Sequence, residues 1–142
     1  MSSKDHIAQE ISRMMPKIAR HVTLGFTQVF HLTPPQVFTL ILVGEMQQCS
    51  FSDLSHALRV SAPTVTGIID RLEKAGYVKR VPSQEDRRVI NIQLTKLGHK
   101  FEKEIQVHIR KQWRVLLEKL SQKESESYLS IVKKIYARLD QE

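Results

Sequence analysis

A chain of 142 residues with 41% apolar side chains has the length of one domain, enough apolar material for a core and too much for a disordered polymer. Its 22 Lys and Arg against 15 Asp and Glu leave a formal charge of +7, which favours an anionic partner such as nucleic acid or a membrane surface. No apolar run approaches the roughly 20 residues needed to cross a bilayer, and the N-terminal MSSKDHIAQEISRMM lacks the continuous apolar core of a signal peptide. A single cysteine excludes an intrachain disulfide framework, so a reduced, cytoplasmic setting without membrane contact is expected.

Residues 5–29 place Ile7, Ile11, Met14, Met15, Ile18, Val22 and Phe26 at three- and four-residue spacing. This predicts a long amphipathic helix, kinked or split near Pro16. Thr33-Pro34-Pro35-Gln36 is a capping-box signature opening a mostly apolar, core-forming helix through Met46. Ser50 is the N-cap expected for a short helix over 51–58, and Ser61 for another over 62–75, with Pro63 tolerated in its first turn. Gly76 is placed to end that helix in the left-handed conformation. Tyr77 to Val81 and Val89 to Leu94 are rich in β-branched and aromatic residues around the turn residues Pro82 to Asp86, which predicts a hairpin. A long helix to Leu120 and a last one to Leu139, opened by the capping box Ser121-Gln122-Lys123-Glu124, complete the chain. The expected fold is mainly α with one β-hairpin (α+β).

Segment 51–76, FSDLSHALRVSAPTVTGIIDRLEKAG, has the form of a helix-turn-helix. Leu54, Leu58, Val60, Val65 and Ile68 fall where buried groups lock two helices at a steep angle. Ser55 and Arg59 stand where compact versions often carry alanine and glycine. With those apolar groups inside, the second helix presents Ser61, Ala62, Pro63, Thr64, Thr66 and Gly67 outward, a small hydroxyl-bearing N-terminus suited to a DNA major groove. Arg71 follows on the same helix, placed either to bind phosphate or to pair with Asp70, Glu73 or another helix. The hairpin is the most basic part of the chain: residues 77–100 hold six Lys and Arg against two Asp and Glu, more than half of the net charge. A lone hairpin forms little core of its own, so Lys79, Arg80, Arg87 and Arg88 look placed for a partner. On the alternating strand one of Lys79 and Arg80 is expected to reach phosphate while the other faces solvent.

These motifs resemble, in order and spacing, the MarR family of winged helix-turn-helix transcriptional regulators, and the resemblance covers nearly the whole chain. It is carried by Leu32-Thr33-Pro34-Pro35-Gln36, by Val65 to Val78 (VTGIIDRLEKAGYV), by Asp86-Arg87-Arg88 and by Leu94-Thr95-Lys96-Leu97-Gly98. It implies a homodimer on double-stranded DNA at a pseudo-palindromic operator, usually repressing transcription until a small molecule or oxidant releases it. It also implies that Arg88 enters the minor groove with Asp86 orienting its guanidinium, which suits the negative potential of a narrow groove. Arg87 then contacts phosphate or shares the groove, and spacing alone does not separate the two arginines. Relatives often carry a larger polar or basic residue at the Gly67 position, so its absence shifts weight from base readout to shape and wing. Effectors of relatives are often phenolic or other aromatic anions. The effector residues are unknown from sequence, and the crevice where dimerisation helices meet the DNA-binding lobe is the natural place.

Other readings carry less weight. Cys49 invites redox sensing, but no basic residue stands close in sequence to lower its pKa. The six histidines form no HxxxH pair, so no metal site is expected. No nucleophile elbow, phosphate-binding glycine loop or metalloprotease motif is present, so neither catalysis nor a cofactor is expected. Ile105, Ile109, Trp113, Leu116, Leu117 and Leu120 form one apolar stripe, and Ile131, Val132, Ile135, Tyr136 and Leu139 another, more than a monomer can cover. Residues 1–32 and 97–142 are therefore expected to form a helical dimerisation region around a winged lobe at 33–96, all in one domain. The alternative functions are a helical dimer that binds a small lipophilic ligand and lacks DNA binding, or a redox-responsive regulator that uses Cys49.

Overall fold

The structure, a computed structural model, describes residues 2–139 and 141. Its elements run α1 (Ser3–Thr23), a π-helical turn (Phe26–Phe30), α2 (Pro34–Glu45), α3 (Phe51–Leu58), α4 (Ala62–Lys74), β1 (Val78–Pro82), β2 (Ile90–Leu94), α5 (Lys96–Leu117) and α6 (Gln122–Leu139). This is the expected mainly helical fold with one antiparallel hairpin, and it pairs Val78 with Leu94, Arg80 with Ile92 and Pro82 with Ile90. Residues 1–107 cluster as one compact unit and 108–142 as another.

The helix starts follow local chemistry. Ser2 with Asp5, Thr33 with Gln36 and Ser50 with Asp53 each form a reciprocal capping box, satisfying two N–H groups that the first turn cannot pair internally. Ser121 and Glu124 do the same at α6, and the Ser121 backbone N–H is the main reason that the Glu124 carboxyl lies below its ordinary range.

Three expectations need correction. The first helix continues through Pro16 and stops at Thr23, not near residue 29. What breaks it is Gly25, at φ 90°, a conformation open to glycine and costly for other residues. The π-helical turn that follows buries Phe26 and Phe30, and His31 leaves it in the left-handed region. Tyr77 precedes the first strand, which runs on to Pro82, and Val89 lies before the second. The long helix ends at Leu117, three residues before the expected Leu120.

The core of the first unit is built from α2, α3, α4, β2 and the first half of α5. Val37, Leu40, Leu54, Val65, Ile69, Leu72, Ile92 and Ile105 are all at most 1% exposed. Each such side chain contributes roughly 1.5–3 kcal/mol of burial, enough to set the angle between the two helices of the helix-turn-helix. A chain of rings extends this core: Phe26 meets Phe38 edge-on at 6.2 Å, Phe30 meets Phe101 edge-on at 5.4 Å, and Tyr77 stacks flat on Phe101 at 4.3 Å. The π-helical turn is thereby packed to the end of the wing segment.

In the second unit Trp113 and Tyr128 approach at 6.1 Å. On α6, Ile131, Ile135, Tyr136 and Leu139 are each more than half exposed and Val132 is 40% exposed, and α1 shows Ile7 and Met14 at about half exposure. Among the described residues no helix is long and apolar enough to cross a membrane.

Candidate nucleic-acid interface

The turn between α3 and α4 closes by two backbone bonds, Arg59 N–H to His56 O at 3.3 Å and Val60 N–H to Ser55 O at 3.2 Å. This pair is a Schellman motif and needs a left-handed residue, a role Arg59 takes at φ 55°. A non-glycine residue there costs about 1 kcal/mol. Ser55 offsets part of that by donating from Oγ to the Val60 carbonyl at 2.6 Å, so both departures from the compact pattern serve one turn. Leu54, Val65 and Ile68 are buried as the sequence implies, while Leu58 and Val60 are half-buried.

Helix α4 then exposes Ser61, Ala62, Pro63, Thr64, Thr66, Gly67 and Arg71 while Val65, Ile68, Ile69 and Leu72 face inward. Ser61 Oγ accepts from Thr64 N–H at 3.4 Å and lies 2.9 Å from Thr64 Oγ1, and Thr66 Oγ1 donates to Ala62 O at 3.1 Å. The hydroxyls are thus locally held, with spare acceptor capacity pointing outward. A Cβ added at Gly67 would meet nothing within 4 Å. The fold does not require that glycine, and its smoothness is a property of the surface. Arg71 forms no ion pair among the described residues.

The wing is organised from beneath by a residue that sequence reasoning passed over. Ser83 is 9% exposed and its N–H donates to Val89 O at 2.8 Å, closing the hairpin. Its Oγ accepts from the backbone N–H of Glu85 at 3.3 Å and of Asp86 at 3.5 Å. The signal was a serine just after Pro82 in a polar turn, where hydroxyls commonly bind N–H groups two or three residues on. Asp86 Oδ1 accepts from Arg88 N–H at 3.0 Å and stands 3.9 Å from Arg88 Nε. Asp86 and Arg88 are therefore brought together at the tip, with the Arg88 side chain 94% exposed. Arg87 and Lys79 are also exposed. Arg80 is different: it points back to Asp70 and Glu73 of α4. These are the two acids that sequence reasoning offered to Arg71.

The hairpin is fastened to the lobe on two sides. Along β2, Ile92 N–H donates to Cys49 O at 2.6 Å, and Ser50 bridges Asn91. At the other edge, α4 ends in a Schellman motif at Gly76 (φ 85°), with Tyr77 N–H bonded to Leu72 O at 3.0 Å. Thr95 Oγ1 donates to Gly76 O at 2.5 Å and accepts from Gly98 N–H at 3.0 Å, while Thr95 N–H donates to Tyr77 O at 3.0 Å. Thr95 and Gly98 were visible as a motif, but their job, docking the start of α5 on the end of α4, was not.

Cys49 is fully buried, and burial pushes its thiol up to about 11, with Asp53 adding to the effect. The expected outcome is that a disulfide reagent leaves Cys49 unmodified in the native protein at pH 8 and titrates one thiol after denaturation. Rapid native labelling would revive the redox-regulator alternative. No group of three or more potential metal ligands occurs among the described residues.

A helix-turn-helix followed by a two-stranded basic wing defines a winged helix-turn-helix protein. The MarR family model matches residues 32–90. The chain is 32% identical over 136 residues to the HTH-type transcriptional regulator PapX of Escherichia coli, covering 94% of this chain and 83% of PapX. It is 39% identical over 90 residues to the transcriptional repressor MprA of Escherichia coli K12, covering 63% of this chain and 51% of MprA, so it spans about half the length of that relative. The fold is that of wild type MarR (apo form) from Escherichia coli, with a TM-score of 0.77 at 21% identity over 90% of this chain and 95% of that one. The chain belongs to the MarR family. Its relatives are named as regulators, not enzymes.

Proposed function

We propose that this MarR-family regulator is a cytoplasmic homodimer that binds a pseudo-palindromic DNA site and represses transcription. The observation that carries the reading is the wing tip, where Asp86 holds a nearly fully exposed Arg88 on the same compact unit as the exposed N-terminal face of α4. In this reading Ser61, Ala62, Pro63, Thr64, Thr66, Gly67 and Arg71 meet the major groove and its phosphates. Arg88, aimed by Asp86, enters the flanking minor groove, with Arg87 and Lys79 on the backbone. Residues 33–96 form the DNA-binding lobe, and 1–32 with 97–142 the dimerisation region. The exposed apolar faces of α1 and α6 support that division, since a second copy would cover them. A twofold axis would set the two α4 helices about 34 Å apart, one turn of DNA. A small-molecule effector of the aromatic-anion class would release the duplex by favouring a spacing that misfits it.

The test is selection of bound duplexes from random DNA, followed by titration of the winning site against salt and sedimentation of the free protein. A pseudo-palindrome, a steep loss of affinity with salt and a dimer are expected. A protein that sediments as a dimer but selects no sequence, with binding insensitive to salt, would instead be the ligand-binding helical dimer.

A further inference from the structure

Arg80 stands on β1, the wing strand nearest α4, and its guanidinium is already committed. Its Nη2 bonds to Asp70 Oδ1, its Nε lies 3.4 Å from Glu73 Oε1, and its central carbon sits 5.2 Å from the centroid of the Phe51 ring. One planar group therefore ties together the wing, the recognition helix α4 and the first residue of α3. Its flat fork meets two carboxylates while its face meets a ring, a combination that lysine's single ammonium cannot reproduce. The side chain is only 36% exposed, against 94% for Arg88 at the tip.

A two-stranded hairpin is marginal by itself, and the wing is useful only if its tip and α4 meet one duplex at a set spacing. To bind a phosphate, Arg80 would have to leave Asp70 and Glu73, stranding two carboxylates beside the DNA. We propose that Arg80 is a positioning residue and not a phosphate contact: it fixes the wing against α4 and neutralises the acids on that helix. The DNA part of this inference rests on the function proposed above.

Two measurements test it. Without DNA, amide hydrogen exchange of β2 is expected to quicken about tenfold in both Arg80→Ala and Arg80→Lys, with α2 unchanged, because an ion-pair cluster and a ring contact are lost. Unchanged exchange in the wing overturns the proposal. With a duplex selected by the wild-type protein, both variants are expected to bind about tenfold more weakly at every salt concentration, leaving the salt slope intact. A flattened slope, or full rescue by lysine, would identify a phosphate contact instead. The variant Asp70→Asn with Glu73→Gln keeps Arg80 and covers the case in which Arg80→Ala fails to fold. Loss of grip predicts weaker binding, whereas a phosphate-binding Arg80, freed of its acids, would bind more tightly. A wild-type chain that selects no duplex would sink the proposed function, and the exchange measurement would then judge Arg80 alone.

Discussion

Replacing Arg87 and Arg88 together by alanine is expected to weaken binding to the selected DNA site by roughly a thousandfold or more. Each arginine that reaches a groove or a phosphate is worth about 1–3 kcal/mol, and the proposed dimer would lose four of them. The salt slope should flatten at the same time, since released counterions are the larger part of such contacts. Both side chains are exposed at the hairpin tip, so thermal stability and dimerisation should not change. Fluorescence anisotropy across a salt series, with sedimentation on the same samples, reads all three quantities. Unaltered affinity would remove the wing from the interface. Asp86→Ala separates aiming from charge: if only net charge mattered, deleting an acid from a basic tip would tighten binding. Because Asp86 holds both the backbone and the side chain of Arg88, a fall in affinity is expected instead.

Gly98→Ala should be strongly destabilising. A Cβ at that position would lie 1.9 Å from the Tyr77 carbonyl oxygen and 2.9 Å from its carbon, and both are backbone atoms that cannot swing away. Relief requires the first turn of α5 to lift off the end of α4. That movement breaks the bonds from Thr95 to Gly76 O and Tyr77 O and opens the Tyr77–Phe101 stack. A loss of about 3 kcal/mol, or on the order of 10 °C in Tm, is expected. Thermal melts must be compared at equal protein concentration because association shifts Tm. Gly67→Ala is the control, since open space surrounds Gly67 and alanine is the better helix former by about 1 kcal/mol. Similar melting of the Gly98 variant and wild type would reject the docking of α5 through this contact.

The two glycines show where sequence reading stops. Both lie in segments that carry the family resemblance, yet one is tolerated and the other required. What separates them is the distance to a backbone carbonyl 21 residues earlier in the chain. The arginines divide in the same way. Asp86 and Arg88 are two residues apart, so their pairing was readable in the hairpin tip. Arg80 meets acids 10 and 7 residues earlier, a meeting that exists only once β1 lies against α4. Its cation therefore read as one more basic group on a strand.

The sequence by itself determined what depends on neighbours within a turn. That includes the caps at Thr33, Ser50, Ser61 and Ser121, the left-handed end at Gly76, the buried stripe of the helix-turn-helix, and the charge of the wing. These follow from hydrogen bonds and periodicities that span at most a few residues. Only the tertiary structure decided that the first helix continues through Pro16 and stops at Thr23, ahead of the left-handed Gly25, and that Cys49 is sealed by the strand that bonds its carbonyl. It likewise decided that Arg80 turns back onto α4 while Arg88, beside Asp86, stays exposed at the tip. Each of those outcomes depends on which distant surfaces meet, and the free energy of such meetings lies in packing and desolvation that no local pattern encodes.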